Sequence, residues 1–185
     1  MSLADFITAS PVNYFLSSLV VISQLISLVL IVTILVSKKE NKVIQMVRKY
    51  GMKLAFLVVL VATLGSLTYS DVLMYEPCKL CWFQRILMYP QVLLIGIALW
   101  TKDSSVKLYA LILSLIGIPV AFYHYLVQLG LVSAPCTTGG YTVSCAKYFS
   151  MNFGYITIPM MAMSAFLLVA LIMLILRSKV IDLKA

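Results

Sequence analysis

The residues with the clearest chemistry are two cysteines three positions apart, Cys78 and Cys81, within the segment Glu76–Gln91 (EPCKLCWFQRILMYPQ). Residues at i and i+3 share a helix face, so their α-carbons would lie about 5–6 Å apart, as a disulfide bond requires. Pro77 favours a helix start here. Arg85 follows Cys81 by one helical turn, and both a cation and a helix N-terminus favour thiolate over thiol. The pattern therefore indicates redox chemistry; the alternative is a structural disulfide, or two buried thiols beside a snorkelling arginine.

The composition is that of an integral membrane protein. Of the 185 residues, 63% are hydrophobic and only 11% are charged, and the mean hydropathy is +1.06. The net charge of +8 could suggest nucleic acid. However, the basic residues cluster between apolar runs and form no patch interleaved with aromatic residues, so we expect the lipid bilayer as partner and no nucleic acid. The four cysteines form two close pairs, which points to an oxidising compartment.

Five apolar stretches are candidate membrane spans, and the first, of 25 residues, is long enough to cross a bilayer whose hydrocarbon core is about 30 Å thick. They are Val12–Val36, Leu54–Tyr69, Trp82–Trp100, Leu108–Gln128 and Tyr155–Leu176. The first is too long for a signal peptide, and neither a preceding basic residue nor a following cleavage site supports one. All but three of the 14 lysines and arginines (Lys79, Arg85 and Lys147) fall on one side of this arrangement. The positive-inside rule makes that side cytoplasmic and places the N-terminus and both cysteine pairs outside.

The second cysteine pair lies in the longest external segment, Gly130–Gly154. Cys136 and Cys145 are separated by eight residues that include two adjacent glycines, which allow the chain to turn back. A disulfide closing this loop is plausible, either as an exchangeable redox bond or as a structural clip. The apolar stretch Tyr141–Phe153 is expected to lie along the membrane surface.

Two dithiols on one side of a membrane can pass electrons by thiol–disulfide exchange. A lipid-soluble two-electron acceptor, a quinone, would be the natural end of such a relay. Other uses of the cysteines fit less well. A four-thiolate zinc site needs closer ligand spacing than the second pair has, and haem attachment needs a histidine where Trp82 stands. A carrier of reducing equivalents from the cytosol would need a cysteine on the inner side, and the predicted topology has none there.

Three segments resemble the disulfide bond formation protein B family, and in particular its BdbC-type members. They are CKLCWFQRILMYP, the PCTTGG…SC loop and FGYITIPMMAMSAF. The resemblance covers about residues 52–178 and implies a four-helix membrane bundle. The predicted fold is therefore an all-α membrane protein in which this bundle carries one extra N-terminal transmembrane helix. We divide the chain into residues 1–51 (extra helix and basic loop), 52–178 (bundle) and 179–185 (tail).

The resemblance also implies roles for individual residues. Cys78 and Cys81 would be the pair near the quinone, with Cys81 interacting with the quinone and Arg85 beside its ring. Cys136 would take a mixed disulfide from the partner protein, and Cys145 would relay to Cys78.

Two further polar residues are candidates for the quinone site. Gln84 would hydrogen-bond a quinone carbonyl or simply pack. His124, the only histidine, would handle protons near the quinone or serve as an interfacial histidine among tyrosines.

The function expected from this resemblance is that of a thiol:quinone oxidoreductase in a prokaryotic cell membrane. It would reoxidise a thioredoxin-like thiol oxidase of the DsbA/BdbD type and reduce menaquinone or ubiquinone, thereby supporting disulfide bond formation. One alternative is a non-catalytic membrane scaffold with two structural disulfides. Another is an enzyme like vitamin K epoxide reductase, but that family places the loop pair before the membrane CxxC pair.

Overall fold

The computed structural model describes residues 3–36, 41–133, 144–146 and 151–182, and the described part is a helical bundle. Its elements are α1 (Leu3–Val36), α2 (Lys42–Leu67), a π-helical turn (Thr68–Val72), α3 (Lys79–Thr101), α4 (Val106–Gln128) and α5 (Ile158–Asp182). All five α-helices contain a segment long and apolar enough to cross a membrane. The prediction of an all-α membrane protein with five long apolar helices is confirmed.

The helix ends differ from the predicted spans where charged or irregular sequence adjoins an apolar run. α2 starts at Lys42 rather than Leu54, because the basic segment before the span continues the helix. α5 starts at Ile158 rather than Tyr155, because Asn152 pairs with Ile156 across a turn. Most of the stretch Tyr141–Phe153, expected on the membrane surface, lies outside the described residues.

Short connections join α2 to α3 and α3 to α4, whereas residues 129–157 form a long connection between α4 and α5. Lys102 ends α3 in the left-handed conformation (φ 55°), and the Asp103 carboxylate accepts a hydrogen bond from the Ser105 backbone N–H at 2.8 Å. Such Asx contacts stabilise tight turns. The α2–α3 and α4–α5 connections therefore meet at one end of the bundle, called here the cysteine end.

α5 is the central element of the bundle and packs against α4, α2 and α1. α5 comes very close to α4 at Gly117. A β-carbon at this position would lie 2.5 Å from Phe166, which is itself fully buried. Only glycine permits this approach, so Gly117 sets the spacing between α4 and α5.

The π-helical turn at the cysteine end of α2 widens the helix just before the cysteine-bearing connection. It buries Tyr69, whose ring stacks on Tyr75 with the centroids 6.0 Å apart. The hydroxyl of Tyr69 also contacts Met161 Sδ of α5 at 3.8 Å. π-Helical turns cost stability and are frequent at functional sites; this one fixes two tyrosines beside the connection to Cys78.

Candidate redox site

Cys78 and Cys81 lie at the start of α3, as their spacing predicts. Cys78 is the N-cap residue and Cys81 is in the first turn, with the two sulfurs 3.3 Å apart. Both cysteines are free thiols in this structure. Cys78 is only 3% exposed, whereas Cys81 is partly accessible. The two sulfurs are thus in contact, as a pair that forms a disulfide bond requires.

His124 of α4 connects the two cysteine-bearing segments. Its Nε2 lies 3.6 Å from Cys78 Sγ and 3.3 Å from the carbonyl oxygen of Cys145. Its Nδ1 lies 2.9 Å from Gln84 Nε2. Because the Gln84 amide N–H donates to Nδ1, the ring proton of a neutral His124 resides on Nε2 and faces Cys78 and the Cys145 carbonyl.

The surroundings of Cys78 favour its thiolate. A hydrogen bond from the Cys81 thiol has the largest effect on the pKa of Cys78 and lowers it. Burial opposes this by disfavouring the charged form, and the hydrogen bond and charge of His124 lower the pKa further. The net result is a Cys78 pKa of about 4, so the reduced pair carries its negative charge on Cys78 near neutral pH.

Cys145 packs directly on this pair. Cys78, Val127 and Cys145 form one buried cluster, against which Cys81 also packs. Cys145 is 2% exposed and is disulfide-bonded. Cys136, the other cysteine predicted in this loop, lies outside the described residues. The structure therefore brings Cys145 to Cys78, as a relay requires.

Ser66 and two aromatic side chains hold Arg85, which follows Cys81 by one helical turn. Its Nε donates to Ser66 Oγ at 3.1 Å, and a terminal nitrogen donates to the Ser66 carbonyl at 3.2 Å. Tyr89 donates to the same hydroxyl at 3.1 Å. The guanidinium also lies over the rings of Trp82 and Tyr89, at 5.5 and 6.0 Å from their centroids. Arg85 is therefore fixed within the bundle by α2 and α3 rather than extended freely to the interface.

A cavity of about 320 Å³ opens beside Cys81 and Arg85. Residues of α1, α2, α3 and α5 line it, and Gln84, Tyr69 and Tyr75 lie at its polar end. Ligand sites are commonly about 300–1,000 Å³ in volume and mainly apolar with a few polar groups. Among the described residues His124 does not line this cavity; with Cys78 and Cys145 it lines a second space of only about 10 Å³.

The residues that line the larger cavity fit a lipid quinone. A flat, largely apolar ring needs an apolar slot, and its carbonyl oxygens need donors such as an arginine or amide N–H. Arg85 and Gln84 provide such donors on the same side as Cys81. Gln84 also donates to His124, so only part of its hydrogen-bonding capacity is directed to the cavity.

The reduced pair and His124 also satisfy a condition for metal binding. Cys78, Cys81 and His124 each place one potential ligand atom within 4.8 Å of the others. Two thiolates and an imidazole are typical zinc ligands. This set differs from the four-cysteine site considered from the sequence, because His124 replaces the loop pair.

Several residues of the site do not stand out in the sequence. Ser66 and Tyr89 hold Arg85, and Tyr69 and Met161 line the cavity. Serine and tyrosine at membrane interfaces are common, so composition alone gives no reason to select these positions. Only Tyr89 has a signal in the sequence: it follows Arg85 by four residues on α3, a spacing that places the two side chains next to each other.

Comparisons with known proteins agree with the geometry. The family model described as "Disulfide bond formation protein DsbB" matches residues 48–176. "Disulfide bond formation protein C" of Bacillus subtilis (strain 168) is 42% identical over 128 residues, which is 68% of this chain and 91% of the relative. "Probable disulfide formation protein" of Oceanobacillus iheyensis is 48% identical over 122 residues, or 64% and 83% of the two chains. No solved structure shows a significant match.

The matched region contains all four cysteines, His124 and Arg85, together with α3, α4 and nearly all of the apolar part of α5 and α2. It does not contain α1. The five apolar helices and the bacterial relatives identify a multi-pass membrane protein. This chain belongs to the disulfide bond formation protein DsbB family.

Proposed function

We propose that this chain is a thiol:quinone oxidoreductase that reoxidises a thioredoxin-like thiol oxidase outside the cytoplasm. The observation that carries the proposal is the position of the Cys78–Cys81 pair. Cys78 packs on the disulfide-bonded Cys145, whereas Cys81 lines the 320 Å³ cavity with Arg85. The pair thus lies between a second sulfur couple and a site for a lipid-soluble acceptor.

The chemistry proceeds by disulfide exchange between adjacent sulfurs. A reduced partner transfers two electrons to the Cys136–Cys145 disulfide and leaves oxidised. The Cys145 thiolate then attacks Cys78 of an oxidised Cys78–Cys81 pair, forming a Cys145–Cys78 bond and releasing Cys81 as thiolate at the cavity. Attack by Cys136 on Cys145 restores the loop disulfide and leaves Cys78 and Cys81 reduced.

A bound quinone supplies the sink for two electrons and two protons and leaves as hydroquinone, while Cys78 and Cys81 return to a disulfide. Arg85 would hold the oxygen that gains negative charge, because hydrogen bonds to charged groups are the stronger ones. Ser66 and Tyr89 hold Arg85 in position for this role. His124 orients toward Cys78 and stabilises its thiolate.

The direct test mixes the purified protein, a reduced thioredoxin-like dithiol oxidase and a quinone, and follows quinone absorbance. Wild type should consume one quinone per dithiol oxidised. Cys81→Ser should consume none, yet should still oxidise about one equivalent of partner, because Cys145 and its disulfide remain. That single turnover also shows that the variant is folded. Quinone consumption at the wild-type rate by Cys81→Ser, or none by wild type, would refute the proposal.

A metal site is the second candidate, favoured by the proximity of Cys78, Cys81 and His124. It predicts stoichiometric zinc in protein purified without chelator, and its loss in His124→Ala. Zinc retained by the active enzyme during turnover would exclude disulfide formation between the same two cysteines. If a preparation that reduces quinone contains no zinc, the metal site is rejected and the redox function is the one that remains.

A further inference from the structure

α1 forms one wall of the cavity beside Cys81, and it lies outside the residues that match the family. Leu16, Leu19, Ser23 and Ile26 line the cavity. Their spacing of three or four residues places them on one stripe of the helix. One wall of the cavity is therefore formed by α1, a helix that the family model does not include.

Polar contacts fix this wall to the rest of the bundle. Gln24 donates to the Ser164 hydroxyl of α5 at 3.0 Å and accepts a hydrogen bond from the Tyr155 hydroxyl at 2.9 Å. Asn152 donates to Ser17 Oγ at 2.9 Å. Apolar helices in lipid gain little from the hydrophobic effect on association, so interhelical hydrogen bonds and close packing orient them. These contacts place α1 with a defined face toward the cavity.

The cavity is long and has chemically different ends. Along α2 its lining extends from Ser66, which holds Arg85, to Leu54. The twelve helical steps between these two residues correspond to about 18 Å at about 1.5 Å per step. Leu16 lies at the Arg85 end, because its side chain is 3.4 Å from the position of a β-carbon on Gly65. Ile26 lies ten residues farther along α1, next to the apolar end. Such a shape fits a ligand with a polar head and a long apolar chain.

We propose that α1 is the tail-binding wall of the acceptor site, holding the prenyl chain of a quinone whose ring lies beside Cys81 and Arg85. This rests on the function proposed above and adds to it a basis for acceptor choice. Affinity for the acceptor then depends on its apolar chain, and quinones without one bind more weakly to this protein. Removing a contact on α1 near Ile26 acts on the chain and leaves the ring contacts intact.

The test compares a prenylated quinone with a tailless quinone of the same ring, using the full-length chain in lipid nanodiscs and a reduced dithiol partner. In wild type the KM for the prenylated quinone should be lower. Ile26→Trp, which fills the apolar end, should raise that KM about tenfold, equal to about 1.4 kcal/mol, and leave the tailless KM unchanged. Leu25→Trp is the matched control, because Leu25 is 58% exposed on another face of α1; it should change neither KM.

Ile26→Ala provides a second variant that cannot disturb packing by added bulk. It should raise the KM for the prenylated quinone by a smaller factor and again spare the tailless one. Equal effects on both quinones, no effect of either variant, or equal wild-type KM values would overturn the role of α1 while leaving the proposed function intact. Failure of wild type to reduce either quinone would instead remove the proposed function, and this inference with it.

Discussion

Arg85 shows how a single charged residue is placed inside an apolar bundle. The groups that hold it are neutral: the Ser66 hydroxyl and carbonyl and the rings of Trp82 and Tyr89. A charge within a membrane segment is costly and usually marks a functional site. These contacts orient the guanidinium, and the proposed function requires its charge to face an anion that forms in the cavity, whose lining also contains Glu76.

Arg85→Ala should raise the apparent KM for quinone at least about tenfold, because hydrogen bonds to charged groups contribute about 1.5–3 kcal/mol. Arg85→Lys should recover only part of this, since an ammonium lacks the planar fork that reaches both Ser66 and a ligand. Steady-state quinone reduction measures the effect, and exchange with the dithiol partner should remain at the wild-type rate. An unchanged KM in Arg85→Ala would remove Arg85 from the acceptor site.

The lowered pKa of Cys78 gives a pH dependence with a definite sign. With a pKa of about 4, Cys78 of the reduced protein is a thiolate at pH 7 and at pH 5, and it gains a proton only as the pH falls through about 4. The thiolate ultraviolet absorbance, measured as the difference between wild type and Cys78→Ala, should therefore stay constant from pH 8 to pH 5.

His124→Leu should move that transition to higher pH, because the variant loses both the hydrogen bond and the charge that lower the pKa of Cys78. Tyr123→Leu is a suitable control, since Tyr123 is adjacent in sequence and its hydroxyl contacts the Ser133 carbonyl rather than the cysteines. A transition near the ordinary thiol pKa in wild type, or the same transition in both variants, would contradict this account of Cys78.

At the level of helices, the contact between α4 and α5 depends on Gly117. Gly117→Ala would place a methyl group 2.5 Å from the Phe166 ring, and overpacking of this kind costs about 1–3 kcal/mol. That exceeds the gain of about 0.5–1 kcal/mol that alanine brings to a helix. The apparent unfolding temperature in detergent should fall. Gly65→Ala is the control: its nearest neighbour, Leu16, is 3.4 Å away, so its unfolding temperature should not fall.

The sequence predicts the helices better than their contacts. Long apolar runs and basic clusters identify five spans, and Pro77 with the CxxC spacing places Cys78 at a helix start. These signals are local, because they depend on hydropathy and on i to i+4 spacing. The π-helical turn at Thr68–Val72 has no such signal, since its mixture of polar and apolar residues (TYSDV) shows no periodicity that separates a π-helix from an α-helix.

In the candidate site, too, the sequence predicts local features but not the contacts between distant residues. Its cysteines and Arg85 are recognisable by type and spacing, but their partners come from distant parts of the chain. Ser66 is 19 residues from Arg85, and His124 is 40 residues from Gln84. From the sequence, His124 is either a proton-handling group near the quinone or an interfacial histidine among tyrosines. The structure places it against Cys78 and the Cys145 carbonyl, and it does not line the larger cavity. Which helix faces meet is decided by packing, and one sequence does not show it.

At the scale of the whole molecule, the proposed function requires the cysteine end of the bundle to face outward. Two turns at opposite ends test this: Ser104, between α3 and α4, and Ser133, after α4, are both exposed. In a chain whose four cysteines are changed to serine, a membrane-impermeant maleimide should label Ser133→Cys in intact cells. It should label Ser104→Cys only after the cells are permeabilised. The reverse pattern would place the cysteine end in the cytoplasm and contradict the proposed function.

The narrow space beside Cys78, His124 and Cys145 limits which dissolved molecules can reach the Cys78 thiolate. About 10 Å³ is free there, which is close to the least that accommodates one water molecule. Cys78 is itself only 3% exposed, so a dissolved oxidant such as peroxide, which is larger than water, has little access to its thiolate in this packed state. The Cys78 thiolate is thereby shielded from dissolved oxidants, which disfavours its stepwise oxidation to sulfinic acid, a product that could no longer form a disulfide bond.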